Sequence, residues 1–201
     1  IEVGEIYDQY FSHEFGLTYV DNLLTQDALE RLRRHLLEST IWFDVKRGGY
    51  LGAYMNEGLA SPLILQIASE LRAIFPAILK EHPLRQAWAY KYDSKSSIPE
   101  SDTTGIRTHA DFAAVNVNFW VTKSKANLDP DSGGLRIHHT EAPKDWSFDM
   151  YNRDLSKMQE ILENSDGGKS VVPYRENRMV IFNSNLFHET DDYWFQSGYE
   201  N

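Results

Sequence analysis

The stretch Arg107-Thr108-His109-Ala110-Asp111, read with Phe187-His188-Glu189 far downstream, decides the reading of this chain. His109 and Asp111 are two apart, so on an extended strand both side chains point the same way. His188 supplies a second imidazole. Two imidazoles and one carboxylate are the ligand set of a facial triad that leaves open positions on a non-heme Fe(II). Neutral imidazole and carboxylate suit Fe(II) better than a closed four-ligand zinc site. A lone His-x-Asp pair is weak evidence. Here it follows one strand-like segment (Trp88 to Tyr92), precedes another (Val115 to Thr122), and is joined by a histidine after a third (Met179 to Asn183).

Around this motif the pattern changes along the chain. Residues 1–85 read mainly as helix. Thr25 to about Glu38 carries Leu29, Leu32 and Leu36 at helical spacing, with Asp27 near the positive helix start. Ser61-Pro62 is an N-cap followed by proline at the first helical position. The face Ile64, Ile67, Leu71, Ile74, Ile78 follows, and Pro76 is expected to kink or shorten it. Gly48 to Tyr54 reads as a strand or loop edge near the mouth of the fold. From Gln86 the pattern is strand-like: Asn116, Asn118 and Trp120 share one face of a strand, and Val115, Val117, Phe119 and Val121 the other. Asp129 to Gly134 is turn chemistry, Leu135 to His138 a returning strand, and Asp154 to Asn164 a short helix. Helices first and many short strands afterwards predict an α+β chain, mainly β at its core, built on a sandwich or barrel.

The chain has 201 residues, which predicts one domain. A net charge of -10 without a basic block makes nucleic acid a poor partner, because phosphate neutralisation needs a basic face. There is no apolar run long enough for a membrane span and no secretory signal. The first residue is Ile, so upstream sequence is expected to have been removed or left out. Zero cysteines rule out disulfides and thiolate metal sites and fit a cytoplasmic location.

Of the other histidines, His138-His139 is the rival to the triad, although adjacent strand residues face opposite ways and at most one can join a metal. Asp129-x-Asp131-x-Gly133 has the start of a calcium loop, but Thr140 stands where the closing Glu is required, so a hairpin turn is the better reading. The segment 146–153 is either a lid over a substrate or a packed support for the next helix.

Taken together, His109-Ala110-Asp111, Asn116 to Thr122, Asn127 to Leu135 and Asn177 to Thr190 resemble the Fe(II)/2-oxoglutarate-dependent oxygenases, in particular their prolyl-hydroxylase-like bacterial branch. The resemblance covers roughly residues 86–201. It implies a double-stranded β-helix (jelly-roll) over 86–201, with N-terminal helices of 1–85 as external support. It implies metal ligands His109, Asp111 and His188, with Fe(II), 2-oxoglutarate and O2 as cofactor and co-substrates. The implied activity is hydroxylation of a small-molecule or peptidyl substrate. Tyr92, Tyr90, Asn118, Trp120 and Arg178 become candidate co-substrate residues. One departure stands out: the family's basic anchor for the far carboxylate is expected shortly after the distal histidine, yet Glu189 to Asn201 contains no Lys or Arg. Either the anchoring strand lies beyond Asn201, or Arg178, Arg136 or Lys91 takes the role. Trp42, Tyr50 and Tyr54 are expected at the mouth. Two readings of other classes stay open: a cupin-like metal-binding protein without 2-oxoglutarate turnover, and a metal-free interaction module.

Overall fold

A computed structural model describes residues 2–46, 48–92 and 105–201. The chain opens with helix α1 (Val3–Ser12), strand β1 (Leu17–Val20) and helix α2 (Gln26–Glu38), followed by strands β2 (Asp44–Lys46) and β3 (Tyr50–Tyr54). Helices α3 (Pro62–Ile74) and α4 (Pro76–Leu79) lead to strands β4 (Trp88–Tyr92), β5 (Val115–Phe119) and β6 (Leu135–Glu141). Helices α5 (Phe148–Asn152) and α6 (Leu155–Glu163) precede strands β7 (Lys169–Val172), β8 (Met179–Asn183) and β9 (Leu186–Thr190).

The helix boundaries follow from local chemistry. Thr25 Oγ1 accepts the Ala28 N–H and Ser61 Oγ the Ile64 N–H, each at 3.3 Å, capping α2 and α3. Proline at position 76 ends α3 at Ile74 and starts α4, because it cannot donate into the preceding turn. Asp154 caps α6 through the Lys157 N–H.

The strands form three antiparallel sheets, ordered β1-β8-β5, β2-β3-β4 and β7-β6-β9. Strand β8 is apolar at successive positions because both of its faces are covered. Met179 and Ile181 meet Leu32, Ile67, Leu71, Phe75 and Ile78 of the helices, with Val115, Val117 and Phe119 alongside. Val180 and Phe182 point the other way, into a second core shared with Leu135, Ile137, Val172 and Leu186. Two sheets therefore face one another across that core, with the helices packed outside the first. No helix among the described residues is long and apolar enough to cross a membrane.

The boundary expected at residue 85 needs correction. Residues 1–85 are not only helical support: β1 pairs with β8 in register Leu17↔Phe182 to Val20↔Met179, and β2 and β3 form a sheet with β4. Four residues of Leu17–Val20 are too few to show a period, and the pairing that makes them a strand comes from the distant β8.

Ile181 is fully buried between the helices and the sheet. Ile181→Ala is expected to lower the unfolding free energy by about 2–5 kcal/mol, read as a lower urea midpoint at unchanged slope.

Candidate metal centre

Strand β9 and the segment entering β5 bring the triad together. The His109 N–H donates to the His188 carbonyl at 3.0 Å, and the His188 N–H donates back to His109 at 2.8 Å. This reciprocal pair sets the two imidazoles side by side, ring centroids 4.3 Å apart. The Asp111 N–H then donates to the Ser184 carbonyl at 3.1 Å, which turns the Asp111 carboxylate towards both rings. Its Oδ1 lies 3.7 Å from His109 Nε2 and its Oδ2 3.4 Å from His188 Nε2. All the donor atoms fall within 4.8 Å of one another.

Each ring also has its other nitrogen committed. His109 Nδ1 lies 2.8 Å from the Arg107 carbonyl and His188 Nδ1 2.9 Å from the Leu186 carbonyl. A carbonyl only accepts, so each Nδ1 carries the proton and each Nε2 keeps its lone pair for a metal. Burial, reinforced by the neighbouring His188, lowers the His109 pKa to about 4, against the pull of Asp111. Burial alone would raise Asp111, but the two neighbouring histidines and the hydrogen bond from the Asn116 amide outweigh it and bring it to about 2. At neutral pH, His109 is neutral and Asp111 ionised, the states that metal ligation requires. The donor set and its inward lone pairs fit a divalent iron.

The expected co-substrate residues divide. Tyr92 is buried, its hydroxyl 3.1 Å from Thr190 Oγ1, and Thr190 lies two residues beyond His188 on the same face of β9. Tyr90 shares the face of Tyr92 on β4. Burial, followed by neighbouring tyrosines and the Asp111 charge, pushes its pKa up and keeps its phenol neutral. Across the strand pair, Tyr50 lies opposite Tyr92 and packs edge-on against Tyr90 at 5.3 Å. Tyr54, on the same face, donates to Asp44 at 2.9 Å. Trp42 does not join this face: it packs behind the sheet with Ile41, Ala53 and Leu59. Asn118 shares the strand face of Asn116.

Trp120 and Arg178 are not brought to the triad. Trp120 packs into the inter-sheet core and against Tyr174, and its N–H donates to the Arg178 carbonyl. Arg178 precedes β8 at the end remote from the site, roughly 17 Å from Asn183 at roughly 3.3 Å per residue over five residues. Its guanidinium is taken up by Asp21 at 2.6 and 3.0 Å, by the Pro173 carbonyl and by the face of Tyr19. Arg178 is therefore engaged in an ion pair away from the triad. The alternatives are engaged elsewhere too. Arg136 pairs with Asp191 and Asp192, each at 2.6 Å, while its neighbours Leu135 and Ile137 take the interior. Lys91 lies on the opposite face of β4 from Tyr90 and Tyr92, with its ammonium over Tyr199.

Neither histidine of the rival pair reaches the metal centre. His138 sits 3.4 Å from Glu189, and His139 stacks on Phe15 and bonds Ser170. The Asp129 to Gly134 segment is a turn closed by Ser132 N–H to the Asp129 carbonyl. Residues 146–153 support the ligand loop: the Ala110 N–H donates to the Tyr151 carbonyl, and Asn152 donates to the Ala110 carbonyl. Sequence reasoning missed Ser184, Thr190 and the choice of Asn116 over Asn118. Thr190 carried a signal, its two-residue spacing from His188.

The same architecture recurs in solved structures. The chain is similar to a Pseudomonas putida prolyl-4-hydroxylase at TM-score 0.60 and 14% identity, covering 97% of this chain and 94% of that one. It is similar to HygX from Streptomyces hygroscopicus with nickel and 2-oxoglutarate bound at TM-score 0.56 and 13% identity, covering 96% and 82%. It is similar to the non-heme alpha ketoglutarate dependent epimerase SnoN from nogalamycin biosynthesis at TM-score 0.62 and 15% identity, covering 98% and 78%. At these identities the shared property is the fold. No family model and no curated protein matches the sequence.

Arg178→Ala is expected to cost about 1.5–3 kcal/mol of stability, because Asp21 loses two of its hydrogen bonds and keeps only that from Arg175. Its affinity for Co(II), followed by the metal's visible absorption, is expected to equal that of the wild type.

Proposed function

We propose that the protein is a non-heme Fe(II)- and 2-oxoglutarate-dependent dioxygenase that hydroxylates a small-molecule or peptidyl substrate, on a single-domain double-stranded β-helix. The observation that carries this reading is the joint geometry of His109, Asp111 and His188, with both Nδ1 protons tied to carbonyls and both Nε2 lone pairs facing one carboxylate. Nickel and 2-oxoglutarate in a protein of the same fold support the choice of cofactor and co-substrate. A prolyl-4-hydroxylase and a structure with hygromycin B bound among the similar proteins leave both peptidyl and small-molecule substrates in view.

When bound, Fe(II) supplies open positions for a chelating 2-oxo acid and for O2, and with them the oxidative decarboxylation that drives hydroxylation. The chain's own residues have three tasks. His109 and His188 present neutral nitrogens whose ring orientation the backbone carbonyls fix in advance. Asp111 supplies one negative charge, so the site carries its ion with partial neutralisation. Tyr92 and Thr190 place two hydroxyls beside the ligand strand, where they can donate to a carboxylate of the co-substrate. Asn118 shares the strand face of Asn116 and is the next donor available. Tyr50, Tyr54 and Tyr90 form a wall of phenol rings that shields the metal's side from bulk water and offers ring faces to a substrate.

Anaerobic titration of the full-length apo-protein with Fe(II) and then 2-oxoglutarate tests the assignment. A visible metal-to-ligand charge-transfer band on adding 2-oxoglutarate is the expected result. Metal binding with no band would favour a cupin-like metal site without 2-oxoglutarate turnover. Under oxygen, Asp111→Ala is expected to lose succinate formation, and full retention would remove Asp111 from the ligand set. Tyr92→Phe is expected to raise the KM for 2-oxoglutarate about 2–10-fold, the loss of one hydrogen bond.

A further inference from the structure

Asp111 is held by more than its backbone. Asn116, buried on β5, donates its amide Nδ2–H to Asp111 Oδ2 at 2.6 Å. The Asn116 Oδ1 accepts from the hydroxyl of Ser184 at 2.8 Å, and Ser184 is fully buried. Ser184 belongs to the turn between β8 and β9, whose N–H donates to the Ala114 carbonyl and whose carbonyl accepts from Asp111. The hairpin that delivers His188 thus also carries a relay, Ser184 to Asn116 to Asp111, onto the carboxylate.

The relay has a direction. An ionised carboxylate only accepts, so the Asn116 amide must turn its NH2 towards Asp111 and its carbonyl oxygen towards Ser184. The serine hydroxyl then donates to that oxygen and holds the amide in place. Oδ2, which also lies 3.4 Å from His188 Nε2, therefore has one of its lone pairs occupied, while Oδ1, 3.7 Å from His109 Nε2, carries no such bond from Asn116.

We infer that Asn116, oriented by Ser184, is a positioning residue that holds the Asp111 carboxylate to one-oxygen metal ligation. The consequence is chemical. A carboxylate that swung to bind through both oxygens would fill a position that the co-substrate and O2 require. Holding Oδ2 in a hydrogen bond would keep that position open and leave Oδ1 for the ion. The inference rests on the metal-centre reading above and adds to it a residue outside the triad.

Co(II) titration of the apo-protein tests it without turnover, as a double-mutant cycle of wild type, Asn116→Leu, Asp111→Ala and the double variant. Asn116→Leu is expected to weaken Co(II) binding about 10–100-fold, the usual effect of losing a partner of a ligand, and to alter the Co(II) visible bands. In the Asp111→Ala background the same substitution is expected to change affinity by less than about twofold, since its effect runs through the carboxylate. A purely structural amide would weaken binding equally in both backgrounds, which would overturn the inference. So would wild-type affinity and bands in Asn116→Leu. If that variant does not fold, Ser184→Ala takes its place in the same cycle, with the same outcomes read for and against. Failure of the wild type to bind Co(II) would sink the metal centre and this inference together. Binding by the wild type with a silent Asn116→Leu would sink the inference alone.

Discussion

The reciprocal backbone pair between His109 and His188 is the contact on which the site depends. It joins a short segment ahead of β5 to the end of β9, at N···O distances of 3.0 and 2.8 Å. Further bonds fasten the same segment on either side. The Thr190 N–H donates to Ile106, the Gly105 N–H to Gly48 and the Ala110 N–H to Tyr151. A run of about seven residues thus touches β9, the turn between β2 and β3, and α5. The backbone builds the donor set.

That arrangement has an electrostatic cost. Two desolvated imidazoles in contact disfavour a second proton on His109, and a desolvated carboxylate needs donors to remain ionised. Carbonyls on each Nδ1 and the Asn116 amide on Asp111 meet both requirements from within the protein. The outer side of the same strand is tied as well. Ala110 and Phe187, the neighbours of the ligands, are buried under Met158, Trp146 and Ile161, so α5 and α6 press the ligand strand inward. Thr108, Glu189 and His138 form a polar ladder on that outer side.

The His109 and Asp111 pair was legible because it rests on a local rule. His-x-Asp points one way on any extended chain, and strong strand patterns stand on both sides of it. The helix starts at Ser61 and Asp154 were legible for the same reason, being set by residues three apart. What the sequence hid depends on pairing at a distance. Leu17–Val20 is a strand only because β8 lies beside it. Asn116 and Asn118 share a face and are equivalent by period, and the choice falls on Asn116 because Ser184 folds back from the end of β8. Arg178 carries a charge that reads equally well as a carboxylate anchor or an ion-pair partner. Asp21, 157 residues away in sequence, decides for the ion pair.

The tyrosine wall shows where the chain's excess negative charge does not go. Of its members Tyr50, Tyr90 and Tyr92 have raised pKa values, with burial the leading cause, so these phenols stay neutral. Asp44, the carboxylate at its edge, is matched by Lys46 at 2.5 Å and by the Tyr54 hydroxyl. Gly52, opposite Tyr90, leaves the middle of the wall without a side chain, and a Cβ there would lie 2.8 Å from the Tyr54 hydroxyl. The face beside the metal centre is therefore uncharged, ring-lined and rich in hydroxyls, while the net charge of -10 is carried elsewhere. Such a face favours an occupant by stacking and hydrogen bonding over one held by long-range attraction. The shape of that face is set by Tyr50, Tyr54 and Tyr90 around the gap at Gly52.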